Sequence, residues 1–109
     1  MEQLSETILG QITEKLKKSL NPRRIYLFGS YAANSADKDS DVDLLVVVAD
    51  SETPNRQLTF LGRNSLWGVK LPIDLIICKQ SELEKWSGVI CNPIRTATQN
   101  GRLIYESKN

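Results

Sequence analysis

Two aspartates one residue apart, Asp41 and Asp43, lead into the most apolar run of the chain, residues 44–48. Side chains on a strand alternate between its two faces, so both carboxylates are predicted to point the same way. Adjacent carboxylates repel each other and are costly beside so apolar a strand. A divalent cation removes that cost, because Mg²⁺ takes oxygen ligands and keeps open positions for phosphate oxygens. The pair therefore predicts a metal site.

A phosphate-binding turn is predicted immediately upstream, at Gly29 and Ser30. Glycine lets a phosphate approach the backbone closely, and serine offers a hydroxyl donor. Backbone N–H groups would add to this if one or two helical turns begin at Ser30. A phosphate cradle beside metal ligands predicts nucleotide chemistry.

Asp74 is the third candidate, in the middle of the run PIDLII. A carboxylate within such a strand is expensive unless it is paired or bound to a cation. If this strand lies beside the one that follows Asp41, Asp74 completes a cluster of three carboxylates. It would then serve as a third metal ligand or as a general base for an attacking hydroxyl. The alternative is an aspartate at a sheet edge that faces water, and the sequence alone does not separate these roles.

Composition excludes several kinds of chemistry. The chain has 109 residues and no histidine, which excludes Ser-His-Asp and Cys-His catalysis and histidine-bound zinc. Its net charge of +1 gives no electrostatic reason to expect direct nucleic-acid binding. No apolar run approaches the roughly 20 residues of a membrane span, and the N-terminus resembles no targeting peptide. We therefore expect a cytoplasmic protein with no membrane contact, in which Cys78 and Cys91 are reduced thiols.

Hydrophobic periodicity and turn residues predict alternating helices and strands. The expected elements are a helix over 4–20, strands over 24–28, 41–49 and 71–78, a helix ending near Gly68, and a short edge strand over 103–105. Ser81 and Glu84 indicate a capping box for a further helix. Asn100-Gly101 predicts a left-handed helix end. The predicted fold class is α/β, a small mixed sheet flanked by helices, with residues 1–109 forming a single domain.

The combined motif, GS followed by SDVDLLVVV and then by IDLII, resembles the nucleotidyltransferase superfamily that includes DNA polymerase β and kanamycin nucleotidyltransferase. Chain length and the helix-first layout look most like the minimal nucleotidyltransferases (MNT domain proteins), which include antitoxins of the MntA type. The resemblance covers almost the whole chain and implies the polymerase β-like nucleotidyltransferase fold.

The resemblance also implies roles for the candidate residues. Gly29 and Ser30 match the family's nucleotide-binding pair, Asp41 and Asp43 match the ligands of two Mg²⁺ ions, and Asp74 matches the third catalytic acid. Family members transfer a nucleoside monophosphate from a triphosphate, here expected to be ATP, to a hydroxyl and release pyrophosphate. The chain departs from many minimal members at Ala33-Asn34, where those members carry a basic residue and a glycine.

Minimal nucleotidyltransferases are commonly paired with HEPN proteins as toxin–antitoxin modules, and some of them adenylylate a tyrosine of the toxin. The resemblance therefore implies a HEPN-type toxin as partner, in a hetero-oligomer. Two alternatives stay open: a non-catalytic antitoxin that retains the acidic residues, and a nucleotidyltransferase that modifies small molecules such as antibiotics.

Overall fold

The computed structural model of the chain describes residues 4–32, 40–86 and 93–107. Its elements, in chain order, are α1 (Glu6–Leu20), β1 (Arg24–Phe28), β2 (Val42–Val48), α2 (Asn55–Ser65), β3 (Ile73–Lys79), α3 (Gln80–Trp86), α4 (Pro93–Asn100) and β4 (Arg102–Glu106). The four strands form one sheet in the order β3-β2-β1-β4. β1 is antiparallel to β2 and β4, whereas β2 and β3 are parallel. The predicted mixed sheet flanked by helices is confirmed.

β2 lies inside the sheet and packs on both faces, as its apolar run predicts. Val42, Leu44 and Val46 belong to the core formed with α1 and α2. Leu45 and Val47 face the opposite way and pack against α3 and α4. Helices therefore cover both faces, and the side-chain alternation of β2 decides which helices each residue meets.

α1 follows the expected amphipathic pattern, with Leu9, Ile12, Leu16 and Leu20 buried. The Ser5 side chain caps its first turn by accepting a hydrogen bond from Ile8 N, at 3.1 Å. Asn21 ends the helix in the left-handed region, with φ 48°. The helix thus begins slightly later than predicted and ends where Asn21-Pro22 indicated. Within the described residues, no helix is long and apolar enough to cross a membrane.

The helical spacing of Leu58, Leu61, Ser65 and Leu66 predicts one shared face for α2, and Leu58 and Leu66 do pack against the core. Leu61 is instead 43% exposed, and Gly62 lies against the core. A Cβ at Gly62 would lie 2.8 Å from Leu75 Cδ2 and 3.1 Å from Leu20 Cδ1. The close approach of α2 to α1 and β3 at this glycine turns the helix so that Leu61 faces outward.

The start of α3 is capped by other residues than the Ser81–Glu84 box. Asp50, whose place beside a polar loop predicts an ordinary solvated acid, accepts a hydrogen bond from Ser81 N at 3.0 Å. Glu82 accepts one from Lys79 N at 2.8 Å. These bonds lower the pKa of both carboxyl groups, because they stabilise the charged forms. The sequence pattern was misleading because α3 follows β3 without a break, at Gln80.

Gly101 is required for space, not for a left-handed backbone as predicted. Positive φ values among the described residues occur at Asn21, Gly29 and Gly68. A Cβ on Gly101 would overlap Ala97 O and lie 2.8 Å from Leu27 O. The chain therefore passes from α4 into β4 in close contact with β1, and the predicted edge strand forms directly after it.

Gly101→Ala should lower the free energy of unfolding by about 1–3 kcal/mol, because the added methyl meets backbone atoms that cannot turn aside. Gly10→Ala is the matched control: Gly10 is an exposed position within α1 with nothing near its Cβ. That substitution should stabilise the protein by about 1 kcal/mol. Urea unfolding of both variants provides the measurement. Equal effects of the two substitutions would contradict the packing described at Gly101.

Candidate active site

The carboxylates of Asp43 and Asp74 lie on one face of the sheet because β2 and β3 are parallel and in register. Asp43 pairs with Asp74, and Val42 pairs with Ile73. Both aspartates therefore project toward the side covered by α3 and α4. Asp41 immediately precedes β2 and carries its charge close enough to act on Asp43.

The environment of Asp43 is the most constrained of the three. Asp43 is half-buried, whereas Asp41 and Asp74 are exposed. Burial raises the pKa of the Asp43 carboxyl, and the charges of Asp74 and Asp41 raise it further. Asp74, predicted inside an apolar strand, lies near the start of the edge strand β3. It both faces water and adjoins Asp43, so the two interpretations of its position do not exclude each other.

Gly29 closes the site from the side of β1. It follows Phe28, which pairs with Asp43, and has φ +75°. A Cβ on Gly29 would overlap the Asp43 carboxylate, whose Oδ2 lies closest. Only glycine fits here, because it supplies both the left-handed backbone and the room for the carboxylate. Sequence reasoning proposed close approach of a phosphate at Gly29, but it did not foresee that Asp43 itself needs this room.

Ser30 lies in the turn after Gly29 and is partly buried. The helical turns expected from Ser30 onward are described only as far as residue 32, where the backbone forms a turn. The departure at Ala33-Asn34 and the acidic residues Asp37 and Asp39 lie outside the described residues. So does Cys91, the second thiol expected to be reduced.

Cys78 is the described cysteine, and its position excludes it as a nucleophile. It is buried on β3, where desolvation raises the pKa of the thiol to about 12. A thiol at that pKa carries almost no thiolate at neutral pH. The chemistry that the site can support therefore rests on its carboxylates.

The donor set suits a hard divalent cation, since it consists of carboxylate oxygens. A cation would also relieve the repulsion that raises the pKa of Asp43. In the part of the chain that the structure describes, no three acidic or thiol side chains converge closely enough to hold a metal ion. Asp43 is positioned by its strand, and the two exposed carboxylates would have to move toward it to share a cation.

Asp43→Asn should raise the melting temperature by several degrees at pH 7 without divalent cations. A carboxyl group whose pKa is raised on folding opposes folding once it ionises. The penalty is absent below the unfolded pKa of about 3.9 and grows as the pH rises through the folded value. The gain should therefore vanish near pH 3. Melting curves between pH 3 and pH 8 test this.

Glu52→Gln is the control, because it removes a carboxylate from an exposed loop position. A stabilisation by Asp43→Asn that is equal at pH 3 and pH 7, or that Glu52→Gln reproduces, would show that the raised pKa of Asp43 is not its source.

Solved structures share this fold. A Sulfolobus solfataricus protein provisionally described as a nucleotidyltransferase matches with a TM-score of 0.66 at 19% identity, over 94% of this chain and 81% of its own. A toxin–antitoxin structure with AMP-PNP matches with a TM-score of 0.62 at 22% identity, over 91% and 73%. A MntA-HpeT toxin–antitoxin mutant matches with a TM-score of 0.65 at 22% identity, over the same shares.

Curated proteins give no match to this chain. The family comparison is decisive, because residues 10–109 match the family described as "Polymerase beta, Nucleotidyltransferase". That range contains Gly29, Ser30 and all three carboxylates of the site. The chain belongs to the polymerase β nucleotidyltransferase family.

Proposed function

We propose that this nucleotidyltransferase is a Mg²⁺-dependent protein adenylyltransferase. In this proposal it transfers AMP from ATP to a hydroxyl, the phenol of a tyrosine, on a HEPN-type toxin and thereby acts as an antitoxin. The observation that carries the proposal is the placement of Asp43 beside Asp74, with Gly29 leaving room at the Asp43 carboxylate. A binding module would have no physical reason to keep three repelling carboxylates at one end of a sheet.

Each residue of the site has a role in this proposal. Asp41 and Asp43 would hold two Mg²⁺ ions, with Asp74 as the third ligand. When bound, the ions supply positive charge for the attacking and leaving oxygens. Gly29 would contact the triphosphate through its backbone, beside the Asp43 carboxylate that occupies the space of a side chain. Ser30 would donate its hydroxyl to a phosphate oxygen.

The transfer itself is a displacement at the α-phosphorus of ATP. The acceptor oxygen bonds to that phosphorus while the bond to the bridging oxygen breaks, and pyrophosphate leaves. Asp74 also serves as the base: it takes the proton of the acceptor hydroxyl and passes it to water. Its exposure suits this role, because the acceptor must reach it from outside the chain.

Two observations support the choice of partner and nucleotide. Toxin–antitoxin proteins, one of them with AMP-PNP, share the fold over 91% of this chain. The GS and SDVDLL motifs resemble the minimal nucleotidyltransferases that accompany HEPN toxins. At 22% identity the structural likeness establishes the fold alone, so experiment must identify the acceptor.

The chain with Mg²⁺ and ATP labelled at the α-phosphate should label one protein in a lysate of the native host. Mass spectrometry should identify it as a HEPN-type protein modified by AMP on tyrosine. Asp41→Asn and Asp43→Asn should each lower the labelling rate at least 100-fold, because no other described residues could replace the lost ligand. Glu52→Gln should label at the wild-type rate.

If the acceptor instead becomes labelled from ATP that carries the label at the γ-phosphate, the reaction is phosphoryl transfer and the proposed adenylyl transfer is wrong. If small molecules of the lysate become labelled and no protein does, the result would favour the antibiotic-modifying alternative. If the Asp43→Asn variant labels the acceptor at the wild-type rate, the carboxylates described here are not the active site.

The catalytic and contact-only antitoxins differ in stoichiometry. If inhibition of the toxin is catalytic, a small amount of this protein with ATP should inactivate a large excess of toxin. The inhibition should then persist after the two proteins are separated. Asp41→Asn/Asp43→Asn should fail at that dose, because it cannot transfer AMP. Toxin activity at a dose of about 1:50 is the measurement.

A contact-only antitoxin would need equimolar protein and no ATP, and separation would restore the toxin. Equal protection by the double variant at the low dose would overturn the enzymatic proposal.

A further inference from the structure

The outer side of α2 and the turn after it expose an apolar surface. Phe60 is 63% exposed, Leu61 43% and Trp67 87%. Arg56, Phe60 and Arg63 have helical spacing that places them on the side away from Gly62, which packs on the core. Trp67 follows in the turn, where its backbone N–H donates to Asn64 O at 3.2 Å. We call the five residues Arg56, Phe60, Leu61, Arg63 and Trp67 the α2 surface.

The charge of this surface has one sign. No acidic residue occurs between Glu52 and Asp74, although the chain has 13 acidic residues, and the cations of this stretch are Arg56, Arg63 and Lys70. All three are exposed. Aromatic and arginine side chains together are the commonest anchors of protein interfaces. An acidic surface with apolar side chains is the complement that they select.

The α2 surface reaches the end of the sheet that carries the candidate active site, although α2 covers the opposite face of the sheet from the one to which the carboxylates project. The chain leaves α2, passes through Trp67 and enters β3, which carries Asp74. Pro72 O in this connection accepts a hydrogen bond from Val42 N at 2.8 Å, beside Asp41. Because β2 and β3 start at the same end of the sheet, the turn with Trp67 reaches the end that carries the carboxylates.

A cavity of about 270 Å³ adjoins this turn. It is lined by Ile8, Gln11, Gly68, Val69, Lys70 and Leu71. Gly68 has φ +95°, and no atom lies within 4 Å of the place where its Cβ would be. The cavity is large enough for an apolar side chain of a docked protein, next to Trp67.

We propose that the α2 surface docks the protein acceptor of the transfer reaction, through an acidic and apolar patch on that acceptor. This inference rests on the proposed function, since it names the surface that brings the acceptor hydroxyl to Asp74. Docking at α2 brings the partner to the end of the sheet that carries the carboxylates, and the segment with the acceptor hydroxyl would pass around that end to reach them on the other face. Most of the binding energy would then come from outside the carboxylate site.

Two other occupants fit the α2 surface less well. A second copy of this chain, related by a two-fold axis through the surface, would bring arginines of both copies together. A nucleic-acid strand could stack on Phe60 and Trp67. Its phosphates would approach the carboxylates at the same end of the sheet, and the net charge of +1 provides no wider attraction.

Affinity for the acceptor should depend on both kinds of side chain. The acceptor is the host protein that the wild type retains from a lysate and labels, purified and titrated by calorimetry without nucleotide. Phe60→Ser/Trp67→Ser and Arg56→Glu/Arg63→Glu should each raise Kd at least tenfold. The arginine variant should also lose most of the salt dependence of binding. KM for the acceptor should rise with Kd, whereas kcat at saturation should change less than twofold.

Matched controls lie elsewhere on the surface. Leu103→Ser removes an apolar side chain that is 44% exposed on β4, and Lys18→Glu reverses an exposed charge on α1. Both should bind the acceptor with the wild-type Kd. Asp41→Asn/Asp43→Asn should also bind it normally while it transfers no AMP, so a failure of the chemistry is distinguishable from a failure of docking.

Three results would overturn the inference. The first is normal acceptor affinity in both α2 variants, or no host protein that the wild type retains and these variants release. The second is a wild-type dimer in sedimentation that Phe60→Ser/Trp67→Ser converts to a monomer. The third is binding of single-stranded oligouridine that both α2 variants lose.

Discussion

Asp43 and Asp74 repel each other across the parallel pairing of β2 and β3, and the candidate site depends on that contact. The core fixes the register: a shift by one residue would turn the Asp43 carboxylate to the face on which Val42 and Leu44 pack in the apolar core with α1. The repulsion therefore cannot be relieved by sliding the strands. It persists as a cost to folding that a bound cation would offset.

The fold then arranges access to this contact. Gly29 alone leaves room for the Asp43 carboxylate from the side of β1. The crossover from β2 through α2 to β3 ends beside Asp74, so the exposed Trp67 and the carboxylates share one end of the molecule. The connection from α2 to β3 thus joins the proposed docking surface to the strand that carries Asp74.

The sequence predicted the features that depend on local pattern. Apolar residues that recur at every fourth position predicted α1, and the predicted bounds of β1 were correct. The apolar run of β2 predicted a strand buried on both faces. The alternation of side chains predicts that Asp41 and Asp43 share one face. Asp74 lies beside Asp43 because β2 and β3 pair, which was the condition for placing it in the cluster. The bounds and burial of the strands could be predicted because strand period and burial are properties of a few neighbouring residues.

Features that depend on packing between distant elements could not be predicted. Leu61 is exposed because α2 approaches α1 and β3 through Gly62, and the contacts of Gly62 with Leu75 and Leu20 leave no trace in local periodicity. Asp50 caps α3 across a gap in sequence, and Gly101 is needed for contact with β1. The most direct test of the site is a crystal structure of the chain with Mn²⁺ and an unreactive ATP analogue, with anomalous diffraction measured at the manganese edge. We expect manganese peaks bound by Asp41, Asp43 and Asp74, with the triphosphate at Gly29; manganese or triphosphate bound elsewhere would show that these residues do not form the site.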